Sequence, residues 1–354
     1  MPLNIMTDRR TSHRQVCERN LATLALSLTS NCNLACKMCS QWRHREDGVA
    51  YDRVLSIMNE ARALGADRFT PCGTEIFTRK DIIDILAYAE RIGFQQISIV
   101  SNGSLLLKDQ MINQLEKLRT LLITISVDGP RDVHDDLRGK GVYDKAVEAL
   151  RELRARGITA SISSVIMRQT IDRLKEIVDL AADLGVPVIS MQPYNRETAG
   201  MDNNHAAFEF RPDEETSLRK KLRNVLRYAA SKNIMVYTAN MMDHVPPYLT
   251  RRIRPIPPDG CFVPSRLLVV DDVGDTYPCF MMQRVMKEKS MGNVHEKSLD
   301  KIWHNDIHRE LTLMGLNRKC PRCFAACSDV DGYNPSGNRD RVTKLIRRVI
   351  HRFL

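Results

Sequence analysis

The sequence predicts an α/β protein: a run of parallel βα units forming a partial or full (β/α) barrel, followed by a smaller C-terminal unit. Three observations predict it. Strand-like and helix-like segments alternate from about residue 21 to 238, each helix ending in Gly or a polar turn, the pattern of parallel βα repeats. The residues able to carry chemistry (a first cysteine cluster, Cys72-Gly73, Ser101-Asn102 and Ser126 to Asp128) all fall at predicted strand ends. In barrels, that is where active sites lie. After residue 239 the rhythm breaks, and a proline-rich stretch leads into a second cysteine group. We divide the chain into an N-terminal extension (residues 1–20), a core barrel (21–240), a small α+β unit (241–335) and a basic amphipathic helix (336–354).

The elements follow in order. Leu21 to Thr29 alternates apolar and small polar residues, as a strand does. A cysteine-bearing loop follows, then helical spacing over Tyr51 to Leu64, stopped by Gly65. Arg68 to Pro71 is a short strand, Lys80 to Ile92 a helix closed by Gly93, and Gln96 to Ser101 a strand ending in an Asn102-Gly103 turn. Lys108 to Leu118 reads as helix, Leu122 to Val127 as buried strand, and Tyr143 to Arg156 as helix. Thr159 to Met167 (strand), Ile171 to Leu184 (helix), Val186 to Met191 (strand), Asp213 to Ser231 (helix) and Ile234 to Thr238 (strand) complete the repeats. Pro246, Pro247, Pro255, Pro257 and Pro258 read as a linker. Arg266 to Val270 and Thr276 to Pro278 form a hairpin, and Leu299 to Met314 a helix.

Length and composition suit a soluble chain with one large and one smaller unit. No run approaches the roughly 20 apolar residues that cross a bilayer. Met1 to Asn20 lacks the apolar core of a signal peptide, so a cytoplasmic location is expected. The net charge of +10 is uneven. Arg339 to Leu354 holds six Arg or Lys and one Asp, which places +5 in the tail and argues against a specific nucleic-acid binder. The tail carries Val342, Leu345, Ile346, Val349, Ile350 and Phe353 on one helical face, with Lys344, Arg347, Arg348 and Arg352 around the other. That pattern suits peripheral contact with an anionic membrane, or docking on the protein with a solvated basic face.

Ten cysteines without a secretion signal point to metal or catalytic use rather than disulfides. Cys32, Cys36 and Cys39 lie on one short loop after the first strand. Three thiolates ligate three irons of a cubane cluster and leave the fourth without a protein ligand. An open position is what a metal needs to activate a small molecule. Zinc, with His44 as fourth ligand, is the competing reading.

Cys-x3-Cys-x2-Cys after the first strand resembles the signature of the radical SAM superfamily. The resemblance implies a partial (β/α)6 TIM-type barrel, a [4Fe-4S] cluster on Cys32, Cys36 and Cys39, and S-adenosylmethionine (SAM) chelated to the open iron. Reductive cleavage of SAM then yields a 5′-deoxyadenosyl radical that abstracts hydrogen from substrate, with the electron from a donor such as flavodoxin or ferredoxin. Met38 stands where the family has an aromatic residue, keeping an apolar contact to adenine without stacking. Gly73-Thr74-Glu75-Ile76 stands in the place of the family's Gly-Gly-Glu-Pro, which contacts the SAM amino group. Ser101-Asn102-Gly103 is similar to Thr-Asn-Gly of the third strand. Ser126-Val127-Asp128-Gly129-Pro130, His134-Asp135 and Arg138-Gly139 resemble the subgroup with C-terminal cluster domains. In that subgroup the Ser meets the SAM ribose and the Arg its carboxylate, roles that pass to Ser126 and Arg138, and an Arg fork suits a carboxylate.

Cys261 and Cys279 bracket the hairpin, and Cys320, Cys323 and Cys327 follow. This pattern resembles the auxiliary cluster domain called SPASM, or its shortened twitch form, and implies one auxiliary [4Fe-4S] cluster. Cys261, Cys279, Cys320 and Cys323 are the implied ligands, with Cys327 as a substitute for one of them; structural zinc is the rival. The implied job of such a cluster is to accept an electron from a substrate radical.

Cys72 beside the SAM loop is a candidate hydrogen donor to a product radical, set against simple packing. His134, His205 and His244 are weighed as acid/base groups against surface or structural roles, and Trp303 is read as core. Five late cysteines lean the reading toward oxidation or epimerisation of a carbohydrate-like small molecule. The alternative is a peptide- or protein-modifying maturase, and the rival from another class is a zinc-stabilised binding protein.

Overall fold

The computed structural model describes residues 20–45, 47–108, 110–200, 204–254 and 260–321. Its centre is one open sheet of strands β1 (Thr23–Thr29), β2 (Arg68–Gly73), β3 (Gln96–Ser101), β4 (Leu121–Ser126), β5 (Thr159–Ile166), β6 (Val188–Pro193), β7 (Met235–Val236), β8 (Leu267–Val270) and β9 (Thr276–Tyr277). The order is β7-β6-β5-β4-β3-β2-β1-β8-β9. Strands β1 to β7 run parallel in chain order, each crossing back through helical chain, which makes the expected partial (β/α)6 barrel.

Parallel strands covered on both faces read as continuous apolar runs. These alternate instead. Leu24, Leu26 and Leu28, Ile97 and Ile99, Ile123 and Ile125, and Ile162 pack, almost fully buried, into one cluster with Val54, Ile57, Ile85, Leu150 and Ile177 of the surrounding helices. The side chains between them point to the opposite face. There they are small and mostly hydroxylated: Thr124 and Ser161, from adjacent strands, share a hydrogen bond of 2.8 Å. Val100, on the same face of β3, is 58% exposed, whereas Ser161 of β5 is buried.

The hairpin β8/β9 is antiparallel, as expected, and it does something the sequence reading did not anticipate. β8 pairs in parallel with β1, from Thr23 opposite Leu267 to Leu26 opposite Val270, so the small C-terminal unit extends the barrel's own sheet. Ala25, Val263, Leu267, Val269 and Tyr277 form the apolar seam, with Cys72, Cys261 and Cys279 packed against it.

Several elements differ from expectation. Pro246 and Pro247 do not lie in a linker: they occupy the first turn of the helix Val245–Arg251, where a missing N–H costs nothing. Residues 255–259 lie outside the described residues. The helix expected over Lys108 to Leu118 shortens to Met111–Leu115, preceded by Gln110 in the left-handed region at φ 56°. Leu299 to Met314 is two helices, Leu299–Trp303 and Asp306–Leu316; Asn305 interrupts them and caps the second by accepting the His308 N–H at 2.8 Å. An unexpected helix, Arg131–Arg138, follows β4. Trp303 is core, 3% exposed. The N-terminal extension up to residue 19 and the basic tail (336–354) lie outside the described residues. No helix among the described residues is long and apolar enough to cross a membrane.

Candidate active site

Residues 30–40 cross the C-terminal mouth of the sheet, and hydrogen bonds pin this loop at four places. Thr74 donates both its backbone N–H, to Thr29 O at 3.1 Å, and its hydroxyl, to Asn31 O. Asn33 Nδ2 donates to Ser104 Oγ at 2.8 Å, and Asn102 Nδ2 donates to Asn33 Oδ1 at 3.0 Å, which ties the loop to the end of β3. The backbone N–H of Lys37 donates to Leu137 O at 2.8 Å, so the middle of the loop rests on the helix Arg131–Arg138. Ser40 N–H donates to Ala199 O at 2.7 Å beyond β6. None of these loop contacts was legible in the sequence, because each is made by a short polar side chain or a backbone group to chain at least 43 residues away.

Cys32, Cys36 and Cys39 are free thiols, each half-buried on this loop. Burial pushes the Cys36 thiol up to about 11, against the pull of the Arg138 cation, with Cys39 and Cys32 among its neighbouring charges. Burial also raises Cys32. Cys39 Sγ accepts the backbone N–H of Gln41 at 3.4 Å. Among the described residues no three His, Cys, Asp or Glu side chains converge closely enough to hold a metal ion. The donor set nonetheless fits an iron–sulfur cluster: unoxidised thiols on one short loop, an N–H aimed at sulfur, and a cation that favours thiolates.

The residues expected to meet SAM fall into two groups around this loop. Gly73, the last residue of β2, with Thr74 and Glu75 after it, lies beside Ser101, the last residue of β3, and Asn102 after it. The Glu75 carboxylate, 1% exposed, accepts the Ser101 hydroxyl at 3.0 Å and the Asn102 N–H at 2.8 Å. Its side chain is thereby committed to the protein. Asn102 and Ser101 likewise spend their side chains internally. Burial lifts Glu75 to about 6, although those hydrogen bonds oppose the rise. Met38 is 6% exposed and packs into the main core.

Ser126 and Arg138 make up the second group, with Asp128 two residues after Ser126 and ion-paired to Arg138. Ser126 ends β4 and is 9% exposed. Arg138 Nε donates to Asp128 Oδ2 at 2.6 Å. Burial works against the Arg138 cation, but Asp128, Cys36 and Cys39 hold it above its usual range. Asp128 was visible in the motif, yet its partnership with Arg138 needs the fold. His134 Nδ1 accepts the Asp128 N–H at 3.2 Å, and burial with the nearby Arg138 holds its imidazole down to about 4. It is a structural histidine, fully buried.

Cys72 faces the small C-terminal unit. Burial pushes its thiol up to about 12, so it is held as S–H, with Arg284 and Asp272 as its charged neighbours. Cys261, Cys279 and Cys320 are likewise half-buried. Cys279 caps the helix Phe280–Val285, its sulfur accepting the Met282 N–H at 3.4 Å. Cys261 N–H donates to Gly315 O at 3.0 Å, on the helix that leads to Cys320. Cys323 and Cys327 lie outside the described residues.

Residues 26–181 match the family profile "Radical SAM superfamily", and residues 261–328 match "Iron-sulfur cluster-binding domain", the SPASM domain. The chain carries a radical SAM domain followed by a SPASM domain. As such it is an enzyme, and its cofactors are a [4Fe-4S] cluster, SAM and auxiliary iron–sulfur in the SPASM domain. Among its relatives, PqqA peptide cyclase of Streptomyces rochei is 26% identical over 80% of this chain and 75% of its own. Mycofactocin maturase MftC of Mycolicibacterium smegmatis is 26% identical over 86% and 76%. Fe-coproporphyrin III synthase of Methanosarcina barkeri is 23% identical over 84% and 79%. In fold it is similar to Streptococcus suis SuiB, with TM-score 0.66 and 17% identity over 88% of this radical SAM chain and 75% of SuiB.

Proposed function

We propose that this radical SAM enzyme modifies a peptide or protein substrate. One observation carries the reading: the relatives named PqqA peptide cyclase and mycofactocin maturase align over 80% and 86% of this chain, well beyond the length of the radical SAM segment alone. They favour the maturase over the carbohydrate-like substrate suggested by the count of late cysteines. All five of those cysteines fall inside the matched SPASM segment, so their number does not single out a sugar substrate.

In this reading Cys32, Cys36 and Cys39 hold the SAM-binding cluster, and Cys261, Cys279 and Cys320 with Cys323 or Cys327 hold the auxiliary one. When bound, cluster and SAM supply a carbon-centred radical able to remove a hydrogen atom from substrate. The chain's own residues bind and orient. Arg138 offers its free donors to the SAM carboxylate, Ser126 its hydroxyl to the ribose, and the Gly73-Thr74 backbone lines the amino end. The hydroxyl-bearing face of the sheet suits a peptide segment, since a hydroxyl can both donate to C=O and accept from N–H.

The test uses anaerobically reconstituted protein with reductant and SAM. It is offered short peptides translated from reading frames flanking its gene and, separately, aminocyclitols, sugars and porphyrins. The expected result is deoxyadenosine release matched by a mass change in one peptide. Turnover confined to a small molecule overturns the reading.

A further inference from the structure

We infer that Asp128 is a positioning residue for SAM: it grips one edge of the Arg138 guanidinium and so aims the other edge at the cysteine loop. The inference rests on the role of Arg138 proposed above. A guanidinium has one edge made by Nε with a terminal nitrogen and another made by Nη1 and Nη2. Asp128 takes only Nε, at 2.6 Å, and among the described residues the terminal nitrogens form no hydrogen bond. The Arg138 side chain is 12% exposed, so this free pair of donors sits in a nearly closed site. Its surroundings are those of the cofactor. Leu137, the preceding residue, accepts the N–H of Lys37, between Cys36 and Cys39. Cys36 and Cys39 are among the charges that act on Arg138.

Asp128 is built to be immobile. Its carboxylate is fully buried. Oδ1 accepts the Val165 N–H of β5 at 2.9 Å, taking over where the β4 ladder ends at Ser126 and Ser163. Its own N–H donates to His134 Nδ1, one helical turn before Arg138 on the same helix. A strand and a helix therefore both fix the carboxylate, and the carboxylate fixes the fork. A simple structural ion pair needs no free edge; a carboxylate-reading arginine does.

The test is SAM binding to the cluster-loaded protein, followed by the change that SAM causes in the EPR spectrum of the reduced cluster. Asp128→Asn keeps an oxygen for Val165 but turns an N–H toward Arg138 Nε–H. The expected result is a SAM dissociation constant raised at least about ten-fold, with iron content and the SAM-saturated spectrum as in the wild type. Wild-type affinity in Asp128→Asn, alongside weakened binding in Arg138→Ala, overturns the positioning role and leaves the role of Arg138 standing. Wild-type affinity in Arg138→Ala overturns the parent reading instead. Should Asp128→Asn fail to fold, Asp128→Glu decides: it keeps the charge but displaces it, so weakened binding supports positioning and wild-type affinity refutes it.

Discussion

The carboxylate of Glu75, two residues past the end of β2, accepts the backbone N–H of Asn102, just past the end of β3, at 2.8 Å. Between these two strands the ladder pairs only Arg68 with Gln96 and Phe69 with Ile97. Further along, this side chain replaces main-chain pairing and closes the sheet exactly where the site opens onto it. Glu75→Ala leaves the Asn102 N–H and the Ser101 hydroxyl without their buried acceptor. A lost acceptor of this kind costs about 1–3 kcal/mol. We expect a loss of about 3 kcal/mol in urea unfolding, with Glu75→Gln, which keeps one oxygen, losing about half as much. Unchanged midpoints in both variants refute the bridging role.

Two buried groups give opposite pH dependences. Glu75 is raised to about 6 by burial, above its unfolded value near 4.5. It therefore favours the fold below about pH 4.5, and that contribution is lost as pH rises through 6. His134 is lowered to about 4 by burial, from 6.5 unfolded. Its contribution is complete above pH 6.5 and is lost as pH falls toward 4. At 1.36 kcal/mol per pKa unit these are about 2 and 3 kcal/mol. Relative to wild type, His134→Gln should gain stability from pH 6.5 down to 4, while Glu75→Gln should lose it from pH 6 down to 4.5. Denaturation curves at a series of pH values check this, and variants that track the wild type at a constant offset contradict it.

Gly73 sets how closely β2 can approach the cysteine loop. It sits at φ 136°, and a Cβ there would lie 2.1 Å from Thr29 O. Thr29 O is the acceptor for the Thr74 N–H, so the clash falls on a bond that seats the loop. Gly73→Ala should cost about 2–4 kcal/mol, combining the left-handed strain with a forced backbone shift. It should also reduce iron uptake at the first cluster. Full iron loading at wild-type stability would show that the close approach is dispensable.

The barrel was legible because period-2 alternation in Gln96–Ser101, Leu121–Ser126 and Thr159–Ile166 survives on a one-sided sheet. The cysteine spacings were legible because ligands on one loop are local in sequence. What joins the two halves was not. The pairing of Leu24 with Leu268 joins residues 244 positions apart, and nothing in either apolar stretch names its partner. Pro246 and Pro247 misled for the opposite reason: a proline pair has the same composition in a linker and in a first helical turn, and only the packing of Tyr248 and Leu249, each 1% exposed, separates the two. Asp128 stood in a quoted motif, but its purpose depends on where Val165 and Arg138 arrive.

The two cysteine sets are on separate supports: one on the loop after β1, the other around the β8/β9 hairpin and the helix Asp306–Leu316. Loss of one should therefore leave the other loaded. A Cys32/Cys36/Cys39→Ala triple variant is expected to lose about four iron and four sulfide per chain, and all reductive SAM cleavage, while retaining the brown auxiliary chromophore. A Cys261/Cys279/Cys320→Ala variant should show the converse: about four iron retained, and SAM still cleaved when dithionite supplies the electron. Iron and sulfide analysis of anaerobically purified protein reads both. Complete loss of iron in the first variant would mean that the C-terminal cysteines hold no cluster of their own, and zinc at either site would remove the redox role assigned to it.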